Sequence, residues 1–490
     1  MADKSLKERT ASGLLWGGLS NGLMQILNAL FGICLLNLLT PHDYGMVQVL
    51  NIFSGVAAAL LEGGFISALT NRKEAKHADY NAVFWFNAWC GLALYVLLFF
   101  AAPLIADFYG EPRLLWLARF LFLSFFISAL GIAQRAYLFS HLMVKQTAVA
   151  QVVALLAGGV VGVSMAFMGL AYWALAAQGV VYVSVVVGLS WHYSSWRPSW
   201  HWSMAPVRSM FGFSSRLLAT SLFTQLNRNV LSALLGKFYS PSVAGLYGNA
   251  SKWNDMGHSF ISGMVNGVAQ PVLTQASDHG SSRVPVFRKL LRFTCFVSFP
   301  AMFGLGFVAR EFIGILVGDV WLASADLLRM LSVYGAFVPI NTLYYILVVS
   351  CGRSGINLGA TVANCVLVWG LMIGLHTYGL HWMVAAFVAV NVLWTLVWQY
   401  MAHRLTGLTL LQVLSDIAPF ALAAVGSIAV TALLTQTIES VWLLLFSRIF
   451  LVALFYVGVL YVAKAQILKE SFAYLQQGPL RKIPFFKSKQ

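Results

Sequence analysis

Apolar runs long enough to cross a lipid bilayer recur along the whole chain, each ended by a turn signal or a charged connector. A hydrocarbon core needs about 20 apolar residues per helix. Fourteen windows meet that need, at about 11–39, 45–70, 81–106, 114–134, 147–168, 170–191, 208–236, 245–275, 290–310, 325–350, 357–378, 380–402, 414–435 and 441–464. Gly169 and Gly379 mark the tightest hairpins. The pattern predicts an all-α polytopic membrane protein of fourteen transmembrane helices. The longest internal connector, His192 to Val207, holds only about sixteen residues, too few for a catalytic or receptor domain.

Composition agrees with the pattern. The 490 residues are 59% hydrophobic and 10% charged, with a mean hydropathy of +0.77, whereas a soluble chain carries about 25% charged residues. The net charge of +15 suggests nucleic acid until the positions are read. Of 31 Lys and Arg residues, 22 fall in the chain ends and connectors on one side of the alternating spans and three (Arg113, Lys237, Arg310) on the other. By the positive-inside rule the rich side is cytoplasmic, which places both termini there and requires an even number of spans. The basic start, Met1 to Thr10, leads into a retained first span, too long for a signal-peptide core. The five cysteines show no C-x-x-C pair and read as small packing residues. The basic tail, 465–490, either rests Phe472, Tyr474, Phe485 and Phe486 on anionic headgroups or is a disordered stop-transfer tail.

An internal repeat organises the spans. At an offset of 200 residues, Thr40, Pro41 and Gly45 fall on Ser240, Pro241 and Gly245, and Asn21, Gln25 and Asn28 fall on Ser221, Gln225 and Arg228. The spacing i, i+4, i+7 puts each polar set on one helical face. Six spans per copy give both copies the same orientation, related by a pseudo-two-fold along the membrane normal. The expected organisation is an N-terminal lobe over 1–200, a C-terminal lobe over 201–404, two further spans over 405–464, and the tail. Duplicated bundles of this kind commonly work by alternating access, with the substrate path where the copies meet.

Charge inside a span costs about 2.5–3.5 kcal/mol near the midplane, so such residues should face protein or water. Arg228 lies deep in the seventh window between Asn227 and Asn229, and Lys252 lies about 10 Å below the outer end of the eighth. The eighth window carries Lys252, Asp255, Ser259, Ser262 and Asn266 on one face, with Asn254 and His258 beside them. Two readings stand. Lys252 and Asp255 neutralise each other while Arg228 binds helix-end carbonyls or Asp255. Alternatively, Arg228 and Lys252 form a cationic surface for an anionic headgroup, Arg supplying a planar fork and Lys a mobile point charge. Glu62, deep in the second window, carries a proton or pairs with a basic residue. Arg119, Arg216, Arg329 and Arg448 lie near predicted membrane surfaces, where snorkelling accounts for most of them; Arg216 is retained as a candidate. Asp326 and Asp416, near span ends, are assigned no role. The chain has no phosphate-loop, H-E-x-x-H or G-x-S-x-G motif and no metal-ligand spacing among its ten histidines, so neither an enzyme nor a cofactor is expected.

Several segments carry a family resemblance: Leu39-Thr40-Pro41-His42-Asp43-Tyr44-Gly45, Ala68-Leu69-Thr70-Asn71-Arg72-Lys73, Asp107-Phe108-Tyr109-Gly110-Glu111-Pro112, Tyr172-Trp173-Ala174-Leu175-Ala176-Ala177-Gln178, Leu235-Gly236-Lys237-Phe238 and Ala244-Gly245-Leu246-Tyr247-Gly248-Asn249-Ala250. In this order the chain resembles the polysaccharide transporter family, the O-antigen flippase (Wzx) branch of the multidrug/oligosaccharidyl-lipid/polysaccharide (MOP) exporter superfamily. The resemblance implies a bacterial inner-membrane flippase that moves a polyprenyl-diphosphate-linked oligosaccharide from the cytoplasmic to the periplasmic leaflet ahead of polysaccharide assembly. It also implies two six-helix lobes around a cavity lined by the first, second, seventh and eighth spans. On that reading Arg228, Lys252 and Arg216 meet the diphosphate, and Asn21, Gln25, Asn28 and Gln225 meet the sugars. Glu62, Asp255 and His258 are candidates for a coupled ion. Membrane lipids, a polysaccharide polymerase and export machinery are the expected partners. One departure stands out: relatives with Asn-x-Asp in the seventh span contrast with Asn227-Arg228-Asn229 here, which alters the cavity's charge. The rivals are a cation-coupled multidrug exporter, which should have an anionic, aromatic pocket; a membrane-embedded glycan polymerase or ligase, which should have a large outer loop; and a scaffold for envelope assembly.

Overall fold

The computed structural model describes residues 6–62, 69, 75–200, 203, 205–278, 283–351, 354–465 and 467, and every regular element among them is helical. In chain order these are α1 (Leu6–Leu38), α2 (Pro41–Gln48), α3 (Asn51–Glu62), α4 (His77–Tyr109), α5 (Leu114–Ala129), α6 (Ile132–Ser140), α7 (Val144–Phe167), α8 (Tyr172–Tyr193), α9 (Ala205–Phe238), α10 (Pro241–Asp278), α11 (Arg283–Phe307), α12 (Ala309–Leu316), α13 (Ala323–Ser350), α14 (Ser354–Leu375), α15 (Leu380–Thr406), α16 (Leu410–Leu434) and α17 (Val441–Val462). The basic tail lies outside the described residues, apart from its first few positions.

Among the described residues, ten helical segments are long and apolar enough to cross a membrane, Pro41–Leu61 counting as one. The pair α5 and α6, bent by 43° at their junction, makes an eleventh if taken as a single span. Helices α1, α9 and α10 run 33, 34 and 38 residues, and the described part of α1 contributes the shorter apolar stretch Gly22–Leu38.

Local chemistry explains where the elements start. Thr40 caps α2: its hydroxyl accepts the Asp43 N–H at 3.3 Å, and the Asp43 carboxylate accepts the Thr40 N–H at 3.0 Å. Pro41 fills the first helical position, where no N–H is needed. The second copy of the turn works in the same way, with the Ser240 hydroxyl accepting the Val243 N–H at 3.3 Å at the start of α10. Thr409 and Gln412 form a further capping box on α16. Gly169 and Gly379 both adopt positive φ, the left-handed turn conformation that a tight hairpin requires.

The chain divides into two compact units. The first comprises Met1–Gly248 and Thr361–His376, the second Asn249–Ala360 and Thr377–Gln490. These are units of packing; the division at 200 and 404 concerns duplication, which packing does not test. In the first unit α2 to α6 enclose Met46, Leu50, Leu117 and Phe122, all fully buried. Small residues let α7 pack closely on both sides: a Cβ on Gly158 would stand 2.8 Å from the Gln178 carbonyl oxygen of α8, and one on Gly159 would stand 2.5 Å from the Phe31 ring of α1. The connector after α8 is held against α4, where Trp85 donates to the Ser199 carbonyl at 2.8 Å and Asn81 accepts the Ser199 N–H at 2.9 Å.

In the second unit α11 packs through Phe287, Leu291 and Phe299 against Ile340 and Tyr344 of α13 and against Phe420 and Tyr456 of α16 and α17. Two ion pairs there correct the sequence reading. Asp416 is buried and accepts from Arg288 at 2.6 and 3.1 Å, with Arg292 at 3.7 Å. Arg448 does not snorkel; it donates to Glu311 at 2.7 Å and to the Thr435 hydroxyl at 3.3 Å, over the ring of Phe307. Removing one member of a buried pair leaves an uncompensated charge at a cost of about 3–5 kcal/mol. Asp416→Ala is therefore expected to lower the thermal midpoint of the purified protein clearly, whereas Asp326→Ala, at an exposed position, should leave it unchanged. Equal midpoints would remove the structural role of Asp416.

Candidate functional site

In the first unit the site is built on α9 and the helices beside it. Gln225 and Asn229 lie one turn apart and face α3, where a Cβ on Gly55 would stand 2.9 Å from the Asn229 amide nitrogen and 3.3 Å from the Gln225 Cβ. Toward the end of α9, Gln48 of α2 donates to the Ser232 hydroxyl at 2.9 Å and accepts from Asn51 at 2.9 Å. On the other side of α9, Asn227 donates to Asn364 of α14 at 2.7 Å. The remaining oxygen of Asn227 and nitrogen of Asn364 are buried and have no hydrogen-bond partner. Arg228 falls between these two packed faces and is exposed, as are Ser221 and Thr224. The expected stripe therefore divides: Ser221 and Arg228 are exposed, while Gln225 packs against α3. On α1, Gln25 and Asn28 are both exposed. The side chains of Asn21, Glu62 and Arg216 lie outside the described residues.

The two copies of the turn meet within this unit. A Cβ on Gly45 would stand 1.7 Å from the carbonyl oxygen of Pro241, and one on Gly245 would stand 1.9 Å from that of Pro41. Each turn glycine thus packs on the proline of the other copy, backbone against backbone. At the same end of the unit His42 faces Glu111 at 3.4 Å, and Lys237 donates to the Phe108 carbonyl with its ammonium over the Phe108 ring.

In the second unit α10 carries the polar face. Asp255 pairs with His258 at 3.2 Å, so the Lys252–Asp255 ion pair held open by the sequence is not what forms. Lys252 is half-buried and, among the described residues, makes no ion pair or hydrogen bond. The other ring nitrogen of His258, the Ser262 hydroxyl and the Asn254 carbonyl oxygen are buried without a hydrogen-bond partner. Ser259 and Asn266 are exposed. Among the described residues no three His, Cys, Asp or Glu side chains gather as metal ligands.

Sequence reasoning missed Asn364 and Gln48. The signal for Asn364 was present, because an asparagine deep in an apolar span needs a partner. Its partner, Asn227, lies 137 residues away, and periodicity cannot supply that.

The chain matches a family model described as "Polysaccharide biosynthesis protein" over residues 35–326. It is 27% identical to the lipopolysaccharide biosynthesis protein WzxC of Escherichia coli (strain K12) over 68% of each chain. It is 24% identical to the succinoglycan biosynthesis transport protein ExoT of Rhizobium meliloti (strain 1021) over 63% of each. Among solved structures, the lipid II flippase MurJ in an inward closed conformation superposes with a TM-score of 0.77 at 14% identity, covering 95% of this chain and 99% of that one. An inward-facing multidrug resistance transporter of the MATE family, of the MOP superfamily, superposes with a TM-score of 0.61 at 14% identity over 78% and 95%. These last two show a shared fold. With the family model spanning more than half its length, the chain belongs to the polysaccharide biosynthesis protein family.

Proposed function

We propose that this transporter moves a polyprenyl-diphosphate-linked oligosaccharide from the cytoplasmic to the periplasmic leaflet of a bacterial inner membrane, by alternating access of two six-helix halves followed by two additional spans. The observation that carries this reading is the sign of the charge inside the spans: Lys252 is half-buried on α10 without an acidic partner among the described residues, and α9 carries a second cation, Arg228, at an exposed position. A path for cationic drugs requires the opposite sign. Fourteen spans with both termini cytoplasmic are supported by the overlap of each expected window with a helix and by the 22-to-3 distribution of basic residues. The reciprocal contact of the two turns supports a two-fold relation between the halves.

In this reading the diphosphate oxygens meet Arg228 and Lys252, with Arg216 nearer the cytoplasm, and the sugars meet Asn21, Gln25, Asn28 and Gln225. The lipid tail stays in the bilayer. Of the sugar-facing residues with described side chains, Gln25 and Asn28 are the more accessible, and Gln225 also serves to position α9 against Gly55. The Asp255–His258 pair, with a buried ring nitrogen to spare, is a candidate for proton coupling together with Glu62. The MurJ structure is titled a lipid II flippase and the Escherichia coli relative is named for lipopolysaccharide biosynthesis; both names suit a lipid-linked sugar cargo.

The test is leaflet exchange. Vesicles containing the purified protein and a fluorescent polyprenyl-diphosphate sugar should equalise the label between leaflets, while protein-free vesicles keep it in the leaflet where it was placed. Label that stays put in the presence of folded protein would remove transport of this lipid class.

A further inference from the structure

Two arginines of the second unit stand at similar depth beside one cavity and are stabilised very differently. Arg329 lies six residues into α13 and Arg448 seven into α17, so each is about 9–10 Å from the end of its helix that the positive-inside count assigns to the outer side. Together with Phe303, Val333, Val425 and Ile428 they line an open cavity of about 540 Å³. Val333 and Val425 are exposed apolar side chains on spans, as expected where a cavity opens toward hydrocarbon.

Arg448 is neutralised within the protein by Glu311, supported by Thr435 and the Phe307 ring. Arg329 is exposed and, among the described residues, has no hydrogen bond, ion pair or ring contact. A guanidinium in this position needs a counter-charge, because an unpaired cation among apolar side chains is costly. The cavity carries two cations and one carboxylate, a net charge of one positive. That matches a single phosphodiester and falls short of a diphosphate.

We propose that this cavity is a binding site for an anionic diacyl phospholipid of the outer leaflet: its phosphodiester sits on Arg329, whose aliphatic stem reaches toward the headgroup level, and one acyl chain runs over Phe303, Val333, Val425 and Ile428. The proposal does not rest on the identity of the transported lipid.

The experiment is native mass spectrometry of the purified full-length protein with phosphatidylglycerol, phosphatidylcholine or undecaprenyl phosphate added separately and in competition. One phosphatidylglycerol should bind about fivefold more tightly than phosphatidylcholine, the gain expected from one basic residue near a membrane surface. Arg329→Gln should abolish that preference, and Arg329→Lys should keep most of it. Because Arg329 makes no hydrogen bond, ion pair or ring contact among the described residues, the thermal midpoint of Arg329→Gln in lipid-free detergent should equal that of the parent, separating loss of the site from loss of the fold. Three results would each overturn the proposal: equal binding of the two phospholipids by the parent, an undiminished preference in Arg329→Gln, or displacement of the bound phospholipid by an equimolar amount of undecaprenyl phosphate.

Discussion

Alanine at Gly245 should abolish polysaccharide export while leaving the protein folded in the membrane, and alanine at Gly45 should do the same. In both cases the obstacle is main chain: the added methyl would lie 1.9 Å from the carbonyl oxygen of Pro41 or 1.7 Å from that of Pro241. No rotamer change relieves a clash with a carbonyl held in the first turn of a helix, so the two turns must separate by well over an ångström. Displacements of that size at a working site lower rates on the order of a hundredfold. If the contact between the turns closes the outer end of the path in one state of the cycle, its loss shifts the population toward the other state and stalls the return step. Export is read from surface polysaccharide in a strain that lacks its own transporter, and membrane abundance from an epitope tag. Gly426→Ala is the control, since a Cβ there meets nothing within 4 Å. Export at the parental level by both turn variants would mean that the turns separate freely and do not gate the path.

The double reversal Arg228→Glu and Lys252→Glu should likewise eliminate export with membrane insertion intact. A hydrogen bond to a charged group contributes about 1.5–3 kcal/mol, so two lost contacts to a diphosphate predict a fall on the order of a hundredfold or more before any repulsion is counted. Replacement with neutral glutamine at both positions should give an intermediate loss. Exchange of Arg228 for lysine should cost less than the reversal but more than nothing, because lysine keeps the charge and forfeits the two-pronged geometry. Vesicle leaflet exchange with lipid-linked sugar measures the series directly. Parental rates in the double reversal would remove the headgroup contact from the mechanism while leaving the family assignment untouched.

How much could be read from the chain depends on the range over which each feature is encoded. The hairpin glycines and the turn at Thr40 and Pro41 are set by neighbours within a turn or two of helix, and both were legible. The duplicated turn was legible as well, because an offset match needs no geometry. The same local logic failed for Asp416 and Arg448. Both were read as residues near a surface, yet Asp416 binds an arginine 128 positions away and Arg448 a glutamate 137 positions away. It also offered Lys252 and Arg228 as partners for Asp255, and did not name His258, which its carboxylate meets.

By itself, then, the order of residues determined that this is a polytopic helical membrane protein, which set of its connectors is rich in basic residues, and where cations fall within its apolar runs. Those properties follow from free energies summed along the chain: apolar length against bilayer thickness, charge against hydrocarbon, and turn residues against helix continuation. Tertiary structure alone decided which buried polar groups satisfy one another, that among the described residues Arg448 has a carboxylate partner and Lys252 none, and that the glycines of the two turns lie against each other's prolines. Ion pairs and close backbone approaches act over a few ångströms, and only the folded packing of helices brings residues more than a hundred positions apart within that distance.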